Sequence, residues 1–183
     1  YRNLYTSHST LLTHSERREL SRILKHFSSE KKYGVENPEA FLKRNLEIMD
    51  ILLNEIGLGK AAVISFLLME PVEKQHIDVK DVDKLFSTAI SPIMIGLQRV
   101  KELYQKNVAL ESENFRKLLL TMAEDVRVIL IIVAVRLQTM RNLESYPTDE
   151  QQQIARESSF LYAPLAHRMG LYKVKTELED LSL

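Results

Sequence analysis

The chain has 183 residues, 25 Lys and Arg against 25 Asp and Glu, 45% hydrophobic residues and no cysteine. This is enough for one domain with a sizeable core, or one domain and the edge of another. The balanced charge, without a basic block, gives no direct nucleic-acid signal, and the missing cysteines exclude disulfide and thiolate chemistry and fit a reducing, cytoplasmic setting.

No signal peptide is visible. The chain starts at Tyr1 rather than Met and stops inside a helical pattern at Leu183, so it is expected to be a piece of a longer protein. Residues 1–14 are polar and aperiodic, with Leu11 and Leu12 as packing anchors and His8 and His14 facing solvent. Ser15 is expected to cap a helix through about Phe27, with Glu16 near its positive end. Ser28 to Val35 reads as a polar loop, in which Lys31 and Lys32 form a solvated basic patch.

Asn37-Pro38-Glu39 is a strong helix start, with Asn as cap, Pro at the first helical position and an acid in the first turn. Leu42, Leu46, Met49, Leu53 and Ile56 give that helix an apolar stripe up to Gly57, a good terminator. Lys60 to Glu70 reads as a short, nearly all-apolar helix, with Pro71 blocking the next turn. Asp78 is placed to cap a short helix over Val79 to Phe86. Ser91-Pro92 opens another, with Ile93, Leu97, Val100, Tyr104 and Val108 on one face.

Ser112 begins the central helix pair, and the stretch that organises the chain runs from Glu113 to Arg141. Eight apolar residues, Val128 to Val135, lie between Arg127 and Arg136. They are too few for a membrane span, which needs about 18. The stripe Leu118, Met122, Val126, Ile129, Val133, Leu137, Met140 keeps helical steps, so the stretch reads as buried helix. Thr148 to Gln151 fits a capping box, Pro164 forces a kink or break before Gly170, and Tyr172 begins a further helix. With no strand pattern, the expectation is an all-α bundle of about seven to nine helices. His76 and His167 read as structural or surface histidines, and Met49, Met122 and Met140 as core packing.

Glu113-Asn114-Phe115-Arg116-Lys117, Met122 to Ile131, Tyr162 to Gly170 and Glu177 to Leu181 resemble the hydrolase domain of the RelA/SpoT family, bacterial enzymes that make and break (p)ppGpp. The resemblance implies an HD-domain-like fold over residues 1–170. Residues 171–183 would then begin the connection to a following synthetase domain, the first expected partner. It further implies a hydrolase site in which an H…HD…D set holds manganese and an E-D pair works on the bound water.

The departures decide what to expect of that site. The positions implied for the four ligands read Arg44, Met69, Glu70 and Val135, and Glu73 alone is kept in type from the E-D pair. Valine cannot ligate, methionine is a soft thioether and arginine brings a fixed positive charge. No metal cofactor and no catalytic residue are therefore expected, with Glu70 and Glu73 as vestiges, and Arg44 is expected to pair with one of them in place of the ion. By resemblance Lys31, Lys32, Thr139 and Arg141 are the candidates for contacting (p)ppGpp.

Three readings follow. The first is a regulatory pseudo-hydrolase domain of a GTP pyrophosphokinase. The second is a metal-independent nucleotide sensor. The third is an active manganese enzyme drawing on Glu70, Glu73, Glu124 and Asp125.

Overall fold

A computed structural model describes residues 11–86, 89–106, 112–122 and 124–183, except the side chain of Met122. His8 and Val108 lie outside these residues. The fold is all-α, with nine helices and no strand among the described residues. The chain divides into two compact units, residues 1–95 and 96–183.

In the first unit, α1 (His14–Ser29) is capped by Thr13, not Ser15. Thr13 Oγ1 accepts from Glu16 N at 3.1 Å, and Glu16 Oε2 accepts from Thr13 N at 2.8 Å. Capping one residue earlier lets both side chains satisfy orphan N–H groups. Leu20, Ile23, Leu24 and Phe27 form its buried face. The helix runs to Ser29, and a 3-10 turn, Lys31–Tyr33, closes at Gly34, whose φ of 75° places it in the left-handed region.

α2 (Pro38–Asp50) starts at Asn37, whose Oδ1 accepts from Ala40 N at 3.0 Å. It continues as a π-helical segment, Ile51–Ile56, ending at left-handed Gly57. The expected stripe of Leu42, Leu46, Met49, Leu53 and Ile56 is only half-buried. Asn45, Ile48, Ile51 and Leu52 face the core instead. Apolar residues crowd more than one side of this helix, so packing, not periodicity, sets its rotation.

α3 (Lys60–Glu73) extends past Pro71, because a proline in the last turn removes only one hydrogen bond. The helix ends with Gln75 at φ 57°, where His76 N donates to Pro71 O at 2.8 Å and Gln75 N to Val72 O at 3.0 Å. Glu16 pairs with Lys60, tying α1 to the start of α3. Asp78 caps α4 (Val79–Leu85) through Lys80 N at 2.8 Å. Ser91 N donates to Asp83 Oδ1 at 3.1 Å as α5 (Ile90–Lys106) begins.

The second unit takes the rest of α5, on which Leu97 and Val100 are buried as expected. α6 (Glu113–Met122) begins where Ser112 Oγ accepts from Phe115 N at 3.1 Å. α7 (Val126–Arg141) is a separate helix, capped by Asp125, which accepts from Arg127 N at 2.9 Å. The stripe expected to run through both therefore breaks. Leu118 and Val126 are 42% and 53% exposed, while Phe115, Leu119, Ile129, Val133, Leu137 and Met140 are buried. An aspartate directly before an apolar run favours a cap over helix interior. Gly96 sits so close to α7 that an added Cβ would lie 2.6 Å from Val128 Cγ2.

After a 3-10 turn, Leu143–Ser145, α8 starts at Thr148 without the expected capping box, since Pro147 holds the cap position. Gln151 Nε2 instead donates to Tyr146 O at 2.7 Å. α8 runs Thr148–Glu157, passes through π-helical Ser158–Tyr162 and resumes as Ala163–Arg168, so Pro164 sits at a change of helix type. Gly170, at φ 76°, turns the chain into α9 (Tyr172–Leu181).

Candidate functional site

The positions singled out by resemblance fall in both units, and each unit is described by itself. In the first, Arg44 is half-buried on α2 and enters none of the described ion pairs. Glu70 and Glu73 are exposed at the end of α3. The expected pairing of Arg44 with Glu70 or Glu73 is thus not among the described contacts. Both carboxylates are exposed, so neither needs a buried counter-charge. Met69 is half-buried.

A cavity of about 290 Å³ lies between Phe27, Tyr33, Phe41, Glu70 and Lys74. Tyr33 stacks on Phe27 with ring centroids 5.0 Å apart. Lys31 and Lys32 are exposed on the turn that carries Tyr33. Lys32 pairs with Glu30 at 3.0 Å and lies 4.7 Å from the Tyr33 ring centroid.

In the second unit Val135 and Thr139 are half-buried on α7, one turn apart, and Thr139 Oγ1 donates to Val135 O at 3.1 Å. Arg141 grips Glu177 of α9 with two bonds, Nε at 2.7 Å and Nη2 at 2.8 Å. That contact, led by the Arg141 hydrogen bond, holds the Glu177 carboxyl below its ordinary pKa.

The acids offered for the active-enzyme reading have other work. Asp125 caps α7 and binds Arg127 at 2.6 Å, and Glu124 is exposed against Arg99 at 3.4 Å. Among the described residues no three His, Asp or Glu gather so as to hold a metal. The set Arg44, Met69, Glu70 and Val135 offers one hard oxygen donor, which does not fit the manganese that the resemblance implies.

What the second unit does build is a buried polar network that sequence reading missed. Arg136 Nη2 donates to Glu157 Oε2 at 2.9 Å and to Tyr162 Oη at 3.3 Å, and the guanidinium carbon lies 4.3 Å from the Tyr162 ring centroid. The two tyrosine hydroxyls of Tyr104 and Tyr162 meet at 2.5 Å. Burial, with Tyr162 beside it, pushes the Tyr104 phenol far above its ordinary range. The arginine and carboxylate side chains are only 14% and 10% exposed.

A second tie answers Pro164. Proline has no N–H to give the carbonyl four residues earlier, that of Phe160, and Arg116 Nη2 donates to this oxygen at 2.6 Å. Arg116, Arg127, Arg136 and Arg141 thus bind helix to helix or cap to helix. An advance signal was that an arginine flanking an apolar run is costly to bury unless paired.

The HD domain family matches residues 25–172 of the chain. The chain is 36% identical over 131 residues to the bifunctional (p)ppGpp synthase/hydrolase SpoT of Escherichia coli, covering 71% of this chain and 19% of that protein. It is 35% identical over 149 residues to a GTP pyrophosphokinase of Myxococcus xanthus, covering 79% and 19%. With the GTP pyrophosphokinase rsh of Brucella ovis it shares 36% over 159 residues, covering 86% and 20%. The chain therefore spans about a fifth of the length of the curated relatives it matches. Motifs, helical fold and relatives agree: this chain belongs to the HD-domain family, as a RelA/SpoT-type HD domain.

Proposed function

We propose that the chain is the hydrolase-like domain of a bacterial, cytoplasmic RelA/SpoT-type (p)ppGpp synthetase, that it does not hydrolyse (p)ppGpp, and that it regulates a synthetase domain joined to it. On this reading residues 1–170 form the domain and 171–183 begin the connection. The observation that carries it is Val135, which stands at the implied aspartate position with Ala134 before it and Arg136, Leu137, Met140 and Arg141 after it keeping the family pattern. A valine there gives no oxygen to a hard cation, and Arg44 and Met69 add no suitable donor. The scaffold contacts of Arg116, Arg136 and Arg141 use none of the four substituted positions.

The test is incubation of the chain with ppGpp and manganese, with the product followed by ion-exchange chromatography. No cleavage is expected. Manganese-dependent release of pyrophosphate would overturn the reading.

One observation favours a metal-independent (p)ppGpp sensor as the second reading. Lys31 is exposed and enters none of the described ion pairs, beside a cavity walled by Tyr33. Calorimetric binding of ppGpp without metal, lost in Lys31→Ala, would favour it over a purely structural regulator.

A further inference from the structure

A second cavity, of about 480 Å³, lies in the first unit between α1 and α4. Ile23, Ile77 and Leu85 give it apolar walls, and Leu85 is 41% exposed, unusual for a leucine of a helix that packs on its neighbours. The polar lining is lopsided. Arg22, Lys84, His26 and His76 share the lining with one carboxylate, Asp81, and His26 Nε2 meets Glu30, outside the lining, at 2.7 Å. The imidazoles of His26 and His76 lie 5.0 Å apart, centroid to centroid. Tyr33 Oη holds His76 Nδ1 at 2.8 Å, so Nε2 is the ring nitrogen that a ligand would meet.

We propose that this groove binds a small organic phosphate, with an apolar or aromatic body on Ile23, Ile77 and Leu85 and the phosphate between Arg22, Lys84, His26 and His76. A cavity of this size, mostly apolar with a few convergent polar groups, suits a small ligand. Planar guanidinium, ammonium and imidazolium are the side chains that neutralise phosphate.

Arg22 and Lys84 already touch carboxylates one turn away, Glu19 and, at 3.5 Å, Asp81. Their side chains are 67% and 77% exposed, however, and such surface pairs are worth so little that the heads can turn to a ligand. The field at the closed end is positive. Burial lowers the His76 pKa first, then His26, and Lys32 and Arg22 act the same way against Glu30 alone. Charged and titratable groups around His76 are thus Arg22, His26 and Glu30 from α1 and its cap, Lys32 and Tyr33 from the following turn, and Asp81 and Lys84 from α4. A bound dianion reverses the balance at His76 and raises its pKa, so binding and protonation reinforce each other.

The experiment titrates the whole chain with phenyl phosphate, following the histidine ring protons and the Ile77 and Leu85 methyls by NMR at about pH 6.5 and about pH 8. Saturable shifts at all four residues are expected. A rise of about one unit in the His76 pKa on binding would correspond to roughly tenfold tighter binding to its protonated form. Arg22→Gln/Lys84→Gln, two exposed positions, should weaken binding about tenfold and leave the melting temperature unchanged. Inorganic phosphate should bind more weakly than the phenyl ester. No saturable shift, shifts unchanged in the double variant, or shifts confined to the Tyr33–Glu70 cavity would each overturn the proposal.

Discussion

Replacing Arg136 by methionine should be among the most damaging single changes available outside the apolar core. Methionine keeps most of the side-chain volume, so the test isolates charge rather than creating a void. The change removes the 2.9 Å bond to Glu157, the contact with Tyr162 and the bond to Ile154 O at 3.4 Å. Glu157 keeps Gln153 Nε2 at 3.0 Å, but its side chain is only 10% exposed, so its charge is left inside without a cation. Breaking a buried pair in this way costs about 3–5 kcal/mol, against a total stability of roughly 5–15 kcal/mol. With a urea dependence of about 2 kcal/mol/M, the midpoint followed by circular dichroism should fall by about 2 M. Arg136→Met/Glu157→Leu removes both charges and should recover about 2–3 kcal/mol of that loss as coupling energy. A loss below about 1 kcal/mol, or costs that simply add in the double variant, would refute the claim that this pair is buried and mutually dependent.

Gly96→Ala should destabilise the protein despite alanine's better helix propensity. The new methyl would meet Val128 Cγ2 at 2.6 Å, and Val128 is fully buried on a β-branched side chain that cannot swing away. Overpacking of about 1–3 kcal/mol outweighs a propensity gain of about 1 kcal/mol, and thermal melts should show partial rescue by Val128→Ala. Arg116→Ala should cost about 1–2 kcal/mol, for a charged bond to a carbonyl near the surface. In a Pro164→Ala background, where a backbone N–H returns, the cost should shrink. An unchanged cost there would separate Arg116 from the proline.

The local punctuation of this fold could be read in advance because its causes are local. Asn37-Pro38, Gly57, Asp78, Ser112 and Gly170 each satisfy a helix end through residues within a few positions. The rotation of α2 could not, because Leu42, Leu46, Met49, Ile48, Ile51 and Leu52 offer two competing apolar faces and the π-helical segment shifts their phase. A helix pair was legible from Ser112 onward, but the place where it divides was hidden by arithmetic: Leu118, Met122, Val126 and Ile129 keep helical spacing across a cap. Of the candidate site, the chemistry of Arg44, Met69 and Val135 follows from residue type alone. The partners of Arg136 and Arg141 lie 21 and 36 residues further along the chain, where spacing carries no information.

The bidentate grip of Arg141 on Glu177 has a mechanical meaning. Arg141 closes α7, and Val135 lies six residues earlier on the same helix, about 9 Å along its axis at 1.5 Å per residue. The Gly170 turn between α8 and α9 is itself closed, with Leu171 N donating to Ala166 O at 2.9 Å and Gly170 N to His167 O at 3.0 Å. The two parallel bonds from Arg141 add a second tie to α9, this one from the end of α7. α9 is thus held from two helices, and the helix that carries Val135 is one of them.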